Sequence, residues 1–183
     1  MEVVMWNVHG KITYNLPMKV YLVRHGIAQE RLGGAVLNDS QRPLTDEGKS
    51  EMKQVAHALK RLNVKPDMIV ASPLVRAKQT AEIIREGLGF PDELKITDSL
   101  APGGSPSSVY KFLKQFSSVE EIFLVGHEPD VGMLVANMLW AGSDVHIPFK
   151  KGAVCRVDVY DLPSTSPGVL KWLMTPKMAK LID

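Results

Sequence analysis

The chain has 183 residues, enough for one domain with a proper core, and 45% of them are hydrophobic against 23% charged. A net charge of +2, with no basic stripe interleaved with aromatics, argues against a nucleic-acid binder. No run approaches the ~18 apolar residues needed to span a bilayer, and the opening "MEVVMWNVHG", with Glu2 in place of a basic start, does not read as a secretory signal.

In chain order, residues 1–17 read as a peripheral extension ahead of a second methionine, Met18, with a shielding edge strand as the alternative. A single domain over residues 18–183 follows. "KVYLV" reads as a buried strand running into Arg24, His25 and Gly26. "LTDEGKSEMKQVAHALKRL" reads as a helix capped by Thr45, with Met52, Val55, Ala56, Leu59 and Leu62 at helical spacing. "DMIVAS" is a short strand, and "SPLVRAKQTAEII" a helix with Ser72 as cap and Pro73 in its first turn. "LKIT" is a third strand candidate. "SPSSVYKFLKQF" starts a helix at Ser105 and Pro106 and presents Val109, Phe112, Leu113 and Phe116 on one face.

"EIFLVGH" is a fourth strand, followed by a helix from Pro129 with Val131, Leu134, Val135 and Met138 as its stripe. The last 30 or so residues read as two more strands joined by a Pro/Ser/Gly loop. Strands alternating with helices give a sheet that is mostly parallel, with helices on both faces. The one cysteine, Cys155, sits in the strand-like "AVCRVDVY" and reads as a buried structural thiol. With no internal disulfide possible, a cytoplasmic location is the expectation.

In an open α/β sheet, ligands bind beyond the carboxyl ends of the strands. Arg24 and His25 close the first strand, Arg76 lies in the first turn of the helix after the second, and Gly126 and His127 close the fourth. Two arginines and two histidines far apart in sequence therefore meet in one region, joined by two helix N-termini. Such a cluster repels itself when empty and is favourable around a dianion, so the region reads as a phosphate pocket. Each residue alone has a blander explanation: a solvated cation, or a histidine at the edge of the core. His57, off its helix's apolar stripe, reads as exposed, His9 as preceding the first strand, and His146 as a loop residue. Zinc would recruit carboxylates or thiolates rather than flanking arginines, so no metal and no cofactor is expected.

"VRHG", "ASPLVRAKQTAEII" and "VGHEPD" resemble, in order, the three signature segments of the histidine phosphatase (phosphoglycerate-mutase-like) superfamily. The resemblance spans about residues 18–180 and is nearest to the short phosphohistidine phosphatases of the SixA type, with "MKVYLVRHGIA", "DSLAPGGSP" and the terminal Leu173, Met174, Thr175 and Pro176 in support. It implies a three-layer α/β/α sandwich with a mixed sheet, one strand antiparallel to the others. It also implies His25 as the nucleophile, with Arg24, Arg76 and His127 gripping the phosphoryl oxygens and Gly26 letting the backbone approach them. The implied partner is a phosphorylated protein carrying phosphohistidine, or a small phosphate ester.

The departures are informative. Mutases and phosphomonoesterases of the superfamily carry a glutamate proton donor after the third strand, where this chain reads "DSLAPGGSPSSVY", and they carry inserted caps that this chain lacks. Glu128 is the candidate donor, with capping of the following helix as its competing role, and Asp98 is a weaker one. A small-molecule phosphomonoesterase or mutase, and a non-enzymatic phosphoprotein-binding module, are the alternative functions.

Overall fold

The computed structural model describes residues 2–7, 10–15, 17–30, 39–116, 119–140, 145, 147–163 and 166–182, the first two stretches by their backbone alone. The order is β1 (Glu2–Asn7), β2 (Gly10–Asn15), β3 (Met18–Arg24), α1 (Asp46–Arg61), β4 (Met68–Ala71), α2 (Val75–Leu88), β5 (Lys95–Ile96), α3 (Pro106–Leu113), β6 (Glu121–Gly126), α4 (Asp130–Met138), β7 (Val154–Val159), β8 (Val169–Met174) and α5 (Pro176–Ala179). Short 3-10 turns cover Asp39–Gln41 and Asp98–Leu100.

Six strands form one sheet in the order β5-β4-β6-β3-β7-β8. β3, β4, β5 and β6 pair in parallel, while β7 runs antiparallel to both β3 and β8. The central strands are apolar on both faces, as a sheet covered twice requires. Tyr21, Val23, Ile69, Ala71, Phe123 and Val125 pack with residues of α1, α2 and α5. Val20, Leu22, Val70, Ile122 and Leu124 pack on the opposite side with α3 and α4. This is the expected three-layer sandwich, with β7 as its antiparallel strand.

Local chemistry explains most element ends. Thr45 Oγ1 accepts the Gly48 N–H at 3.0 Å and starts α1. Ser105 and Ser108 form a reciprocal capping box around Pro106 at the start of α3. Met52, Val55, Ala56 and Leu59 of α1 are buried, but Leu62 follows the last turn and is exposed. On α3 the buried set is Val109, Tyr110 and Leu113, so Tyr110 takes the place expected for Phe112, which with Phe116 is only half-buried. Tyr110 turns inward because its hydroxyl donates to Asn137 Oδ1 of α4 at 2.7 Å. The strand candidate "LKIT" shrinks to the two exposed residues of β5 at the sheet edge.

Ser72 does not cap α2. The helix starts at Val75, with Leu74 at the cap position and no side-chain cap bond, because Pro73 holds Ser72 extended and delays the first turn. Ahead of the sheet, β1 and β2 pair only with each other among the described residues, with Asn7 opposite Gly10.

Candidate active site

The parallel register of β3 and β6 builds the site. Arg24 lies opposite Gly126, so the next residue on each strand, His25 and His127, emerges at the same sheet edge. The His25 N–H donates to the Gly126 carbonyl at 3.1 Å, and the two imidazole centroids lie 5.1 Å apart. β4, on the other side of β6, ends one residue short of Ser72, whose N–H donates to Val125. Arg76 projects back from the first turn of α2. Arg24, His25, Arg76 and His127 are thus brought together as expected, and the last three are only 8%, 4% and 3% exposed.

His25 Nδ1 lies 2.7 Å from the Gly26 carbonyl. A carbonyl can only accept, so Nδ1 carries the hydrogen and Nε2 presents its lone pair. Arg76 Nε–H reaches that nitrogen at 3.2 Å. Burial, reinforced by Arg76 and Arg24, lowers the His25 pKa to about 4, against a smaller upward pull from the Gly26 bond. Burial and the charge of the neighbouring His25 lower that of His127 to about 3. Both rings are therefore neutral at pH 7, and His25 is a competent nitrogen nucleophile there.

The surrounding groups fix the geometry. Arg76 Nη1 donates to the Asp39 carbonyl at 2.7 Å and Nη2 to Asp39 Oδ2 at 3.0 Å. Arg42 holds the other Asp39 oxygen, with Nε at 2.9 Å and Nη2 at 2.8 Å. Arg24 Nη1 donates to the Phe149 carbonyl at 2.5 Å. Ser72 Oγ lies 2.8 Å from His127 Nε2 and accepts the Leu74 N–H at 3.3 Å. Among the described residues, Arg24 Nε and His127 Nδ1 are buried and make no hydrogen bond. An unmet buried donor costs about 1–3 kcal/mol, and an oxyanion that accepts from such a group offsets that cost.

Gly26 serves the site differently from the expectation. Its N–H is committed to Thr80 Oγ1 at 3.1 Å, and a Cβ there would lie 2.9 Å from Met52 Cγ. The absent side chain lets α1 pack against the loop after β3, and at Gly48 on the other side a Cβ would come closer still to the Ile27 carbonyl oxygen. Glu128 does not cap α4. Its Oε1 accepts the Phe149 N–H at 3.3 Å, which ties it to the residue whose carbonyl anchors Arg24. Asp98 is exposed on the turn after β5. His57 is exposed, while His9 and His146 lie outside the described residues. Cys155 is fully buried and its thiol is pushed up to about 12 by that burial, which makes it inert.

Among the described residues, no group of three histidine, cysteine, aspartate or glutamate side chains is arranged to hold a metal ion, and no helix is long and apolar enough to cross a membrane.

Ser72, Thr80, Asp39, Arg42 and Phe149 belong to the site and were not legible as such. Ser72 could have been found, since the strand-end logic that selects His127 also selects the last residue before Pro73 on the neighbouring strand.

A neutral imidazole facing two guanidiniums and a second imidazole, at the carboxyl edge of an α/β sheet, is the arrangement of a phosphoryl-transfer enzyme. The chain belongs to the histidine phosphatase superfamily (branch 1), whose family model residues 20–101 match. It is 32% identical over 170 residues to the phosphohistidine phosphatase SixA of Escherichia coli, covering 90% of this chain and all of that protein. It is 34% identical over 139 residues to an uncharacterized protein of Picosynechococcus sp., covering 75% of this chain and 82% of that one. The solved structure of the protein histidine phosphatase SixA complexed with tungstate matches with a TM-score of 0.77 at 29% identity, covering 87% of this chain and 98% of that chain.

Proposed function

We propose that the protein hydrolyses phosphohistidine in proteins through a covalent phosphohistidine on His25. The carrying observation is the bond from His25 Nδ1 to the Gly26 carbonyl at 2.7 Å, which leaves Nε2 as the attacking atom among Arg76, Arg24 and His127. The Nε2 lone pair attacks phosphorus in line. The substrate imidazole leaves with the electrons of the P–N bond and takes a proton from solvent. Water then attacks the phosphorus on His25 Nε2, releasing inorganic phosphate and the neutral ring.

Charge in such a transition state spreads over three equatorial oxygens, and catalysis is mostly positioning and electrostatics. Arg76, held on its far side by Asp39, and Arg24, held by Phe149, supply fixed positive charge, and His127 Nδ1 supplies a neutral donor. Support comes from the relatives: SixA of E. coli carries the name of a phosphohistidine phosphatase, and the SixA structure holds tungstate, a tetrahedral oxyanion of phosphate's shape.

A dedicated acid matters for alkoxide leaving groups and little for imidazole, whose reference pKa is about 6.5. We assign Glu128 as the donor toward ester leaving groups. Small phosphate esters are then secondary substrates, and the activity needs no metal or cofactor. The lone, buried Cys155 suits a reducing cytoplasm.

We further propose that residues 1–17 lie outside the catalytic domain, supported by a main sheet that starts at Met18 and by the self-contained pairing of β1 with β2. The test of the function is a parallel assay on a phosphohistidine peptide and a panel of phosphate esters, with the peptide expected to give the highest kcat/KM. A chain beginning at Met18 is expected to keep that activity.

A further inference from the structure

Beside the phosphate pocket, and sharing Arg24 with it, lies an open recess of about 600 Å³ lined by Arg24, Ile27, Glu51, Lys150, Lys151, Thr175, Pro176 and Lys177. Its volume suits several side chains or a ligand portion rather than one phosphate. Four of its lining residues are cations, and the one carboxylate, Glu51, has Lys180 Nζ at 3.6 Å. Among the described residues, Lys150, Lys151 and Lys177 have no ion-pair partner, and all three are exposed.

The lysines are placed firmly relative to the nucleophile. The Phe149 carbonyl accepts from Arg24 Nη1 at 2.5 Å, and the Gly152 N–H donates to the carbonyls of Arg24 at 3.1 Å and His25 at 3.0 Å. The Arg24 N–H donates to Ala153 at 3.1 Å, and the Ala153 N–H to Lys150 at 3.0 Å. The loop that carries Lys150 and Lys151 is thus fastened to the strand end that carries His25. Lys177 enters from the other side on α5, whose first turn is fixed by the Thr175 side chain.

We propose that this recess is a docking subsite for acidic side chains that flank the phosphorylated residue of a protein substrate. The inference rests on the phosphoprotein reading above. Lysines are flexible point charges, suited to carboxylates at varied positions, whereas a second phosphate read at fixed geometry calls for the planar fork of arginine. The recess holds a cationic field continuous with the catalytic arginines and partly walled from solvent, which raises the local concentration of an acidic chain and its rate of association.

The experiment compares acidic-flanked and neutral-flanked peptides, each made with phosphohistidine and with phosphotyrosine, on wild type and on the Lys150→Gln/Lys151→Gln/Lys177→Gln variant. Wild type is expected to favour the acidic flank in kcat/KM by about tenfold or more at low salt. That ratio should fall toward one in the triple variant and as sodium chloride rises, and Lys177→Glu alone should lower it. Because the ratio is read within each pair of peptides, a partial loss of folded protein leaves it unchanged. An acidic-flank preference on phosphotyrosine alone would sink the phosphohistidine reading and keep the docking site. Equal rates for both flanks in wild type, or a preference that survives the triple substitution, would overturn the proposal. So would a bisphosphorylated small molecule outrunning both peptides through these lysines.

Discussion

Ser72 Oγ sits 2.8 Å from His127 Nε2 and at the same time accepts the Leu74 N–H. Among the described residues Nε2 is the acceptor within reach of the serine hydrogen, so we assign that hydrogen to Nε2 and the proton of the neutral His127 ring to Nδ1, a buried atom that makes no hydrogen bond there. On that assignment we propose Ser72 as a positioning residue that sets which nitrogen His127 offers to a phosphoryl oxygen.

Ser72→Ala is therefore expected to lower kcat by about tenfold to a hundredfold, less than the roughly 10²–10³-fold of removing an oxyanion donor outright, with a smaller change in KM. Nitrogen NMR should show His127 Nε2 as the unprotonated, pyridine-type atom in wild type and a mixture of tautomers in the variant. Ser72→Thr, which keeps the hydroxyl, should recover most of the rate. An unchanged tautomer in Ser72→Ala would contradict the assignment.

Acid should act on the fold through the same histidines. The folded-state pKa values of His25, about 4, and His127, about 3, lie below the usual 6.5, so the unfolded chain binds the extra protons first. The stabilisation is complete above pH 6.5 and is lost as pH falls through about 4 for His25 and about 3 for His127, on the order of 3 kcal/mol for His25 alone. Urea unfolding of wild type should show a lower midpoint at pH 4 than at pH 7, and His25→Asn/His127→Asn a smaller drop. Equal drops would contradict buried neutral rings.

Arg76 reaches His25 through Nε and Asp39 through both Nη atoms. Lysine cannot span these partners at once. Arg76→Lys is expected to cost kcat about a hundredfold or more. Asp39→Asn, which keeps the backbone carbonyl and an oxygen acceptor, should stay within tenfold of wild type. Steady-state kinetics on one substrate decide, and reversed magnitudes would remove Arg76 from the reaction.

Leaving groups should rank phosphohistidine, then p-nitrophenyl phosphate, then alkyl phosphates in kcat/KM, because a general acid contributes roughly 10²–10⁴-fold only where the leaving atom needs a proton. In Glu128→Gln the amide oxygen can still accept the Phe149 N–H while the carboxylic acid is removed. The alkyl rate is expected to fall about tenfold or more, and the phosphohistidine rate to stay within about threefold. Equal losses would show that Glu128 supports the site's structure rather than donating a proton.

The candidate site was legible because it follows from sheet geometry. Val20, Leu22 and Val23 mark β3 as buried on both faces, "EIFLVG" does the same for β6, and a strand pair buried on both faces delivers its last residues to one edge. His25 and His127 follow from that rule, and Arg76 from its place in the first turn of the helix after β4. What escaped depends on tertiary distance. Asp39 and Arg42 sit on a polar turn between β3 and α1, and nothing local marks one aspartate as the clamp on an arginine 37 residues away.

Phe149 takes part through its carbonyl, a group that sequence does not distinguish from any other. Ser72 before Pro73 carries the pattern of a helix cap, which masked its equally legible place at a strand end, where the pairing of β4 with β6 sets it against a histidine. Gly26 illustrates a different ambiguity, since a missing side chain suits a phosphate's approach and a helix's approach equally well, and here α1 occupies the space.

The central claim is that His25 Nε2 becomes phosphorylated. Mixing the protein with a ³²P-labelled phosphohistidine peptide, quenching within milliseconds in base and mapping the labelled peptide tests it directly. The predicted result is a base-stable, acid-labile label on His25 that reaches a sizeable fraction of the sites, disappears on a chase with unlabelled substrate, and is absent in His25→Ala along with turnover. Label on any other residue, or turnover in His25→Ala within tenfold of wild type, would contradict the mechanism.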